Sequence, residues 1–313
     1  MPAAKRPRHG SLQFYPRKRI NKFLPSVNWT PISGTGVLGF ITYKVGMGTA
    51  IIKDSTDKSM TAGKKIAIPV TILEVPNMKI FSIRFYKHKI PMGEIIVSND
   101  KELKRKLYVP KSLKTLDKAP EGYDDIRVIA YSLPKQTSIK KTPDLIELAV
   151  SADNKLDFVK SLIGKEISLF DFLNEKVKLL DVRGLTIGRG LSGPVKRFGI
   201  TLKAHKSEKG VRRPGSLAPW HPARVTYKTP QAGQLGMFTR VHYNLNLIKS
   251  GKISESDINP KEGFKDYGKI QTNYIILKGS VQGPSKRQIL LTPSFRPTKS
   301  QAKKKFEFQE LLV

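Results

Sequence analysis

The chain of 313 residues contains no cysteine. Disulfide bonds, thiolate metal sites and cysteine nucleophiles are therefore excluded, which is compatible with a reducing cytoplasm. Apolar runs stay well below the roughly 18 residues of a membrane span, so no membrane partner is predicted. The first residues, MPAAKRPRHG, also lack the apolar segment of a secretory signal.

Acidic residues are scarce relative to basic ones: 25 Asp and Glu stand against 57 Lys and Arg, a formal net charge of +32. Solubility requires a net charge of only about 2–8 in a small domain. The excess therefore predicts a polyanionic partner, and nucleic acid is favoured over an acidic membrane surface.

The charge is unevenly distributed along the chain. Residues 1–25 carry seven basic residues and no acid, whereas residues 72–182 carry twenty basic and sixteen acidic residues. We therefore predict a near-neutral globular insertion between strongly basic segments, in a chain long enough for about two domains.

Residues 1–31 are predicted to form an extended basic arm, because Pro2, Pro7, Pro16 and Pro25 prevent a continuous helix. Aromatic and basic side chains alternate there, so rings can stack on nucleobases while the cations pair with phosphates. A disordered basic tail remains the alternative. The RNA contacts predicted in the arm are Arg17, Lys18 and Arg19.

The apolar pattern predicts a mainly β fold with an α+β insertion. Closely spaced strands are expected at 37–45, 49–53 and 64–75, with a turn at Gly46–Gly48, as in a small barrel. The barrel is predicted to be split in sequence, with parts at 32–75, 176–196 and 238–300. Its later strands are expected at 178–187, 238–247, 273–281 and 287–292.

The insertion is predicted to span residues 76–175, with strands at 80–86, 126–132 and 144–150. Helices are expected at 100–107, at 154–163 after an Asp153 cap, and at 169–174. Residues 301–313 are expected to form a C-terminal tail.

The window 183–249 holds thirteen basic residues, one acid and recurrent glycine and proline. It cannot bury enough apolar surface to order itself, so we expect it to order against a polyanion. Within it, residues 197–237 are predicted to form a central extension. The RNA contacts predicted in the window are Arg189, Lys196, Arg197, His205, Arg212, Arg213, Trp220, His221, Arg224, Gln234 and Arg240.

Three features within the window support these contacts. Lys196-Arg197 and Arg212-Arg213 are paired cations in glycine-rich surroundings, where a backbone can approach phosphates closely. Trp220 and His221 lie between two prolines, which would present the indole at a loop tip. A buried core tryptophan is the alternative for Trp220. Gln234, flanked by glycines, would reach a base edge or a phosphate.

Enzyme motifs are weak or incomplete. Gly34–Gly39 and Gly188–Gly193 match G-x-G-x-x-G, but neither is followed by the helix that a dinucleotide site requires. The H-R-D and D-F-G tripeptides of kinases are absent. We predict no enzymatic activity, cofactor, metal or small-molecule substrate. A phosphotransferase remains the enzyme alternative, and a free-standing RNA-binding or RNA-chaperone protein is the alternative without catalysis.

Several motifs in order along the chain resemble the large-subunit ribosomal protein L-three (universal uL-three) family in its archaeal and eukaryotic form. The matching segments are Ser11-Leu12 to Phe14, Pro16–Arg19, Gly188–Gly199, the basic run around His205, Trp220–Val225 and Ala232–Gly236. Each is weak alone, but the ordered set covers essentially the whole chain and is highly specific.

The resemblance implies a translation-factor-like, six-stranded Greek-key barrel interrupted by the α+β domain. It also implies binding to large-subunit (23S-type) rRNA early in assembly, with the central extension approaching the peptidyl transferase centre and Trp220 at its tip. The neighbours implied are large-subunit ribosomal proteins including L-fourteen, and the location is the large subunit in the cytoplasm.

Two modifiable positions of the family also align with this chain. Gln234 falls at the glutamine modified in bacterial members, and His205 at the histidine modified in some eukaryotes. Ala204 and Lys206 stand where those eukaryotes have threonine and arginine.

Overall fold

The computed structural model describes residues 10–11, 13–113, 120–173 and 177–313. The chain forms two compact units. Unit 1 comprises Met1–Lys22 and Leu185–Thr239, and unit 2 comprises Phe23–Gly184 and Arg240–Val313. Each unit has its own internal contacts and is described separately.

Most regular structure is β. The strands are β1 Gly36–Val37, β2 Phe40–Asp54, β3 Lys65–Val75, β4 Met78–Lys87, β5 Ile90–Ile96, β6 Asp125–Ser132, β7 Leu145–Ser151, β8 Leu179–Leu185, β9 Leu191–Ser192, β10 Gly233–Gln234, β11 Thr239–Lys252, β12 Asn273–Lys278, β13 Gln288–Pro293 and β14 Phe306–Leu312. The α-helices are short: α1 Lys155–Leu162, α2 Leu169–Phe172, α3 Pro194–Phe198 and α4 Lys299–Ala302. Single 3-10 turns occur at Leu103–Arg105 and Pro134–Thr137.

The larger sheet has seven strands in the order β13-β8-β11-β12-β3-β2-β14. β13 also pairs with β2, through Leu290 opposite Ile41 and its neighbours, so the pairings close a cycle of six strands. β14 lies outside the cycle, antiparallel to β2. The core inside these strands is apolar, and Phe40, Ile41 and Leu290 are fully buried.

The smaller sheet has five antiparallel strands in the order β1-β7-β6-β4-β5. One charged cluster extends across β4 to β7: Arg84 donates to Glu94 at 2.7 Å and to Glu147 at 3.1 Å. Arg127 reaches Glu147 at 3.1 Å as well. These acids are therefore neutralised by neighbouring cations within the predicted insertion.

Two buried carboxylates bind loops to the sheets of unit 2. Glu74 on β3 is fully buried and accepts hydrogen bonds from the Tyr267 hydroxyl, the Gln271 N–H at 2.7 Å and the Thr272 N–H at 3.0 Å. Burial raises the pKa of Glu74 more than these donors lower it. Asp144 accepts from the buried Tyr43 hydroxyl at 2.7 Å.

The predicted strands at 64–75, 80–86, 126–132, 144–150, 273–281 and 287–292 are confirmed within a few residues at their ends. Pro69 pairs with Thr49 on one side, and on the other side the pairing with β12 ends at Val70. The proline therefore lies at a local edge of the sheet, where a missing N–H removes no bond to β12.

The predicted turn at Gly46–Gly48 is wrong. β2 runs through it without interruption, and only a register shift between Lys44 and Gly46 marks the glycines. Gly48 permits close packing, because a Cβ there would lie 2.8 Å from the Leu312 carbonyl oxygen of β14. Two glycines so close in sequence suggest a turn, because the local pattern does not show that β14 packs against β2 at this point.

Other differences are local. The helix expected at 100–107 is only the 3-10 turn Leu103–Arg105, and β5 was not predicted. α1 is capped by Asn154, whose side chain accepts from the Asp157 N–H, and not by Asp153. The segment expected to be a tail, 301–313, contains β14. Of the helix expected at 169–174, α2 forms the first part, and residue 174 lies outside the described residues.

Candidate nucleic-acid interface

Unit 1 is built on a short two-stranded ribbon, β9 and β10, which pair antiparallel with Ser192 opposite Gly233. Two further hydrogen bonds lengthen it: the Arg189 N–H donates to the Leu235 carbonyl and the Leu235 N–H to the Gly190 carbonyl, both at 2.9 Å. The ribbon brings together the two ends of the intervening loop. Residues 197–232 therefore form a loop whose two ends lie close together at the ribbon.

Gly236 allows the two sides of the ribbon to approach. Its φ is +78°, a left-handed conformation that glycine adopts without strain. A Cβ at this position would lie 2.0 Å from the Ile187 carbonyl oxygen, well inside van der Waals contact. Any other residue would push residues 187 and 236 apart.

Arg197 binds the ribbon from inside unit 1. It lies on α3, which begins with Pro194 and ends at Gly199 with φ +63°. Its guanidinium donates to the carbonyls of Gln234 at 3.0 Å, Gln231 at 3.1 Å and Arg17 at 3.4 Å. This side chain therefore joins α3, the returning strand and the N-terminal arm.

Arg17 in turn forms a hydrogen bond to the backbone of Arg197. Its guanidinium donates to the Arg197 carbonyl at 2.8 Å and lies 4.3 Å from the centre of the Phe198 ring. The Arg197 guanidinium lies 5.1 Å from the same ring, which is only 4% exposed. Burial, and then the positive charge of Arg17, lower the pKa of Arg197. The ring attracts both guanidinium groups, which offsets part of the repulsion between their like charges.

The arm has two more contacts within unit 1. The Tyr15 and Tyr227 rings meet edge to face, with centroids 5.6 Å apart. The Ile20 N–H donates to the Met237 carbonyl at 3.3 Å. No helix forms in residues 13–22, as the prolines predict. The part of the arm described in unit 1 thus lacks helix and packs against residues 197–237.

The outer part of unit 1 is strongly basic and exposed. Unit 1 contains 17 Lys and Arg and one acid, Glu208. The exposed cations include Arg189, Lys196, Lys203, Lys206, Lys209, Arg212, Arg213 and Arg224. These eight do not lie within 4.0 Å of a carboxylate of the described residues, whereas such pairs are frequent in unit 2.

Trp220 is 88% exposed, so the alternative of a buried core tryptophan is wrong; the chain's buried tryptophan is Trp29, at 5%. The loop around Trp220 is closed by Thr229, which donates through its hydroxyl to the Leu217 carbonyl at 3.0 Å and through its N–H to the Thr226 carbonyl at 3.1 Å. His221 is exposed beside Trp220. The indole therefore offers a free ring face on a closed loop.

The structure distributes the predicted contacts over several environments. Lys18, Arg19, Arg189, Lys196, His205, Arg212, Arg213, Trp220, His221 and Arg224 are exposed in unit 1. Arg17 and Arg197 hold unit 1 together instead. Gln234 uses its amide nitrogen internally, donating to the Leu235 and Gly236 carbonyls at 3.1 Å each. Arg240 belongs to unit 2, on β11.

Sequence reasoning missed Phe198 and Tyr227. The signal for Phe198 was present, because it follows the Lys196-Arg197 pair directly. Nothing local indicated that Tyr227 meets Tyr15, about two hundred positions away in sequence. Among the described residues there is no cluster of three His, Asp or Glu side chains arranged to hold a metal. In the same residues no helix is long and apolar enough to cross a membrane.

A mainly β chain with an exposed basic surface is typical of a structural RNA-binding protein. The family model for ribosomal protein L3 matches residues 1–123 and 99–310. The chain belongs to this family, which is the L-three family that its motifs resemble, and the family is structural and non-enzymatic.

Three archaeal relatives illustrate the similarity, and each is named large ribosomal subunit protein uL3. The Methanocaldococcus jannaschii protein is 37% identical over 310 residues, which cover 93% of this chain and 92% of the relative. The Archaeoglobus fulgidus protein is 39% identical, covering 94% and 93%. The Methanococcoides burtonii protein is 40% identical, covering 94% and 93%.

Proposed function

We propose that the chain is a structural constituent of the large ribosomal subunit that binds 23S-type rRNA. The observation that carries the proposal is the set of exposed cations of unit 1, none of which lies within 4.0 Å of a carboxylate of the described residues: Arg189, Lys196, Lys203, Lys206, Lys209, Arg212, Arg213 and Arg224. Unpaired lysines and arginines release counterions from RNA, which makes affinity strong and dependent on salt. Family membership supports the ribosomal setting.

Within this function, unit 1 contacts rRNA and unit 2 positions it. The closed cycle of six strands in unit 2 supports a translation-factor-like Greek-key barrel, interrupted by the five-stranded insertion. The insertion pairs its acids internally, so it contributes little attraction to RNA. We propose domain limits of 1–31 for the arm, 76–175 for the insertion, 197–237 for the extension and 301–313 for the tail, with the barrel in between.

We propose that the extension braces rRNA near the peptidyl transferase centre, as the family resemblance implies. Trp220 supplies an exposed ring for stacking on a base. The same role includes binding early in subunit assembly. It also includes contact with neighbouring large-subunit proteins such as L-fourteen, and a cytoplasmic location. The RNA performs the reaction, and the protein shapes it.

Co-sedimentation with large ribosomal subunits at moderately high salt tests the proposal. Stoichiometric retention in the large-subunit peak is expected of an integral component. Loss to the top of the gradient would contradict it and favour a free-standing RNA-binding protein, because general electrostatic association weakens steeply with salt.

A further inference from the structure

One cleft of about 620 Å³ lies beside β14, and another lies in unit 1. The cleft beside β14 mixes polar and apolar groups with no consistent charge. The unit 1 cleft, of about 510 Å³, is different. It is lined by Pro194, Arg212, Arg213, Pro214, Gly215, Leu217, Gln231 and Ala232. We name it the Arg212 cleft.

The walls of the Arg212 cleft are mainly apolar. Pro194, Pro214, Leu217 and Ala232 supply carbon surface, and the charged groups among its lining residues are Arg212 and Arg213. A third cation is close, because Lys203 Nζ lies 4.0 Å from the position of a Cβ on Gly215. No carboxylate is among the lining residues. An apolar interior with cations beside it suits a flat ring that carries a phosphate.

The cleft is also held in shape. Arg197 donates to the Gln231 carbonyl at 3.1 Å, on one wall. The Thr229 hydroxyl donates to the Leu217 carbonyl at 3.0 Å, which joins the Leu217 wall to the returning strand. Because both walls are tied by internal hydrogen bonds, the opening does not depend on a ligand to form.

We propose that the Arg212 cleft binds the unpaired base of one single-stranded RNA nucleotide, with Arg212 and Arg213 on its phosphate. The volume falls in the usual range of about 300–1,000 Å³ for small-ligand sites. Single-stranded bases can be turned out of a stack and covered by apolar or guanidinium surfaces, whereas paired bases cannot. This inference rests on the proposed function and adds a subsite for an unpaired nucleotide.

The test measures binding of the full-length chain to labelled RNA by fluorescence anisotropy at about 0.2 M salt. The probes are a single strand of about ten nucleotides and a duplex of the same length. Ala232→Trp fills the cleft without changing charge. Ala62→Trp adds the same ring to an exposed position in unit 2, which neither lines the cleft nor lies in the extension proposed to contact RNA, and serves as the matched control.

Ala232→Trp is expected to weaken single-strand binding about tenfold, as loss of a stacked base does, and to leave duplex binding unchanged. Ala62→Trp should leave both within about twofold. Equal effects of the two variants, or an equal loss on duplex, would overturn the proposal. The proposal would also be overturned if a polyglutamate peptide competed with RNA for binding and Ala232→Trp abolished that competition. The occupant of the cleft would then be an acidic peptide. Sedimentation with large subunits tests the proposed function separately, since it does not require this cleft.

Discussion

Arg17 and Arg197 each donate a guanidinium hydrogen bond to the other's backbone carbonyl, at 2.8 Å and 3.4 Å, across 180 positions of sequence. The Phe198 ring lies within 5.1 Å of both guanidinium carbons. Two side chains predicted to contact RNA are thereby used to fasten the arm to α3. Their charge still contributes to the field of unit 1, but their donors are engaged within the protein.

Arg197→Lys should loosen unit 1, because one ammonium cannot reproduce a planar guanidinium that serves three carbonyls. Hydrogen bonds to charged groups contribute about 1.5–3 kcal/mol each when buried, and this partly exposed site should give the lower end. Hydrogen exchange of the Leu235 amide, which bonds to Gly190 in the ribbon, is the measurement. Faster exchange is expected.

Lys196→Met is the matched control for Arg197→Lys, because Lys196 is the exposed neighbour on α3. It should leave exchange of the Leu235 amide unchanged. Equal protection of that amide in wild type and Arg197→Lys would show that the three carbonyl contacts do not hold the ribbon.

Gly236→Ala should disrupt the ribbon, because the new Cβ would fall 2.0 Å from the Ile187 carbonyl oxygen at a φ of +78°. We expect a cost of roughly 1–3 kcal/mol in local opening, in line with other strained backbone sites. Limited proteolysis of residues 197–232 measures it. Gly193→Ala, where a Cβ meets nothing within 4 Å and φ is negative, should behave as wild type. Identical cleavage rates for both variants would contradict the account.

Arg212→Gln with Arg213→Gln should lower the salt dependence of RNA binding. Each phosphate contact to single-stranded RNA contributes about 0.7 to the slope of log affinity against log salt, so the pair should remove about 1.4. Lys89→Gln with Lys101→Gln removes the same charge from exposed positions in unit 2 and should change the slope less. Equal slopes in the two double variants would mean that only net charge matters.

Trp220→Ala should leave the fold intact, within about 0.5 kcal/mol, because the side chain is 88% exposed. In cells it should impair tRNA-site function more than subunit assembly, since a stacking ring at the tip of the extension would be lost. Ribosome profiles and elongation rates measure the two effects. Defective assembly with normal elongation would contradict the prediction that tRNA-site function is impaired more than assembly.

Glu74→Gln should change how stability depends on pH. The folded-state pKa of Glu74 is raised by burial, so its contribution is fully present below the unfolded pKa and is lost as pH rises through the folded pKa. The wild type should therefore lose stability relative to Glu74→Gln as pH rises above about 4.3. Urea unfolding at several pH values measures the difference, and a difference that stays constant with pH would contradict it.

Much of unit 2 was predictable because its strands are continuous apolar runs. The 64–75 strand and the strands of the insertion follow from local pattern alone. The uninterrupted course of β2 was not predictable, because Gly48 is required by the Leu312 backbone more than 250 positions away. β14 was not predicted, because the lysines that precede it favour an exposed tail.

The sequence predicted which residues are candidates for the interface, but it did not predict how they are arranged. Charge and proline placed Trp220 at an exposed tip, and the structure confirms its exposure. Nothing in the local pattern separates Arg197, which is occupied by three carbonyls, from Lys196 beside it. The distinction depends on Arg17 and the returning strand, which only the fold brings together.

Residues 197–237 are proposed to contact rRNA near the catalytic centre of the large subunit. Because the chain has no cysteine, Ala223→Cys provides a single attachment point for an iron probe that cleaves nearby RNA. Lys101→Cys, in unit 2, provides the matched control. In assembled subunits, cleavage from position 223 is predicted in the single-stranded rRNA of the peptidyl transferase region, and cleavage from position 101 elsewhere. The same cleavage pattern from both positions, or none from 223 in subunits that contain the protein, would contradict the account.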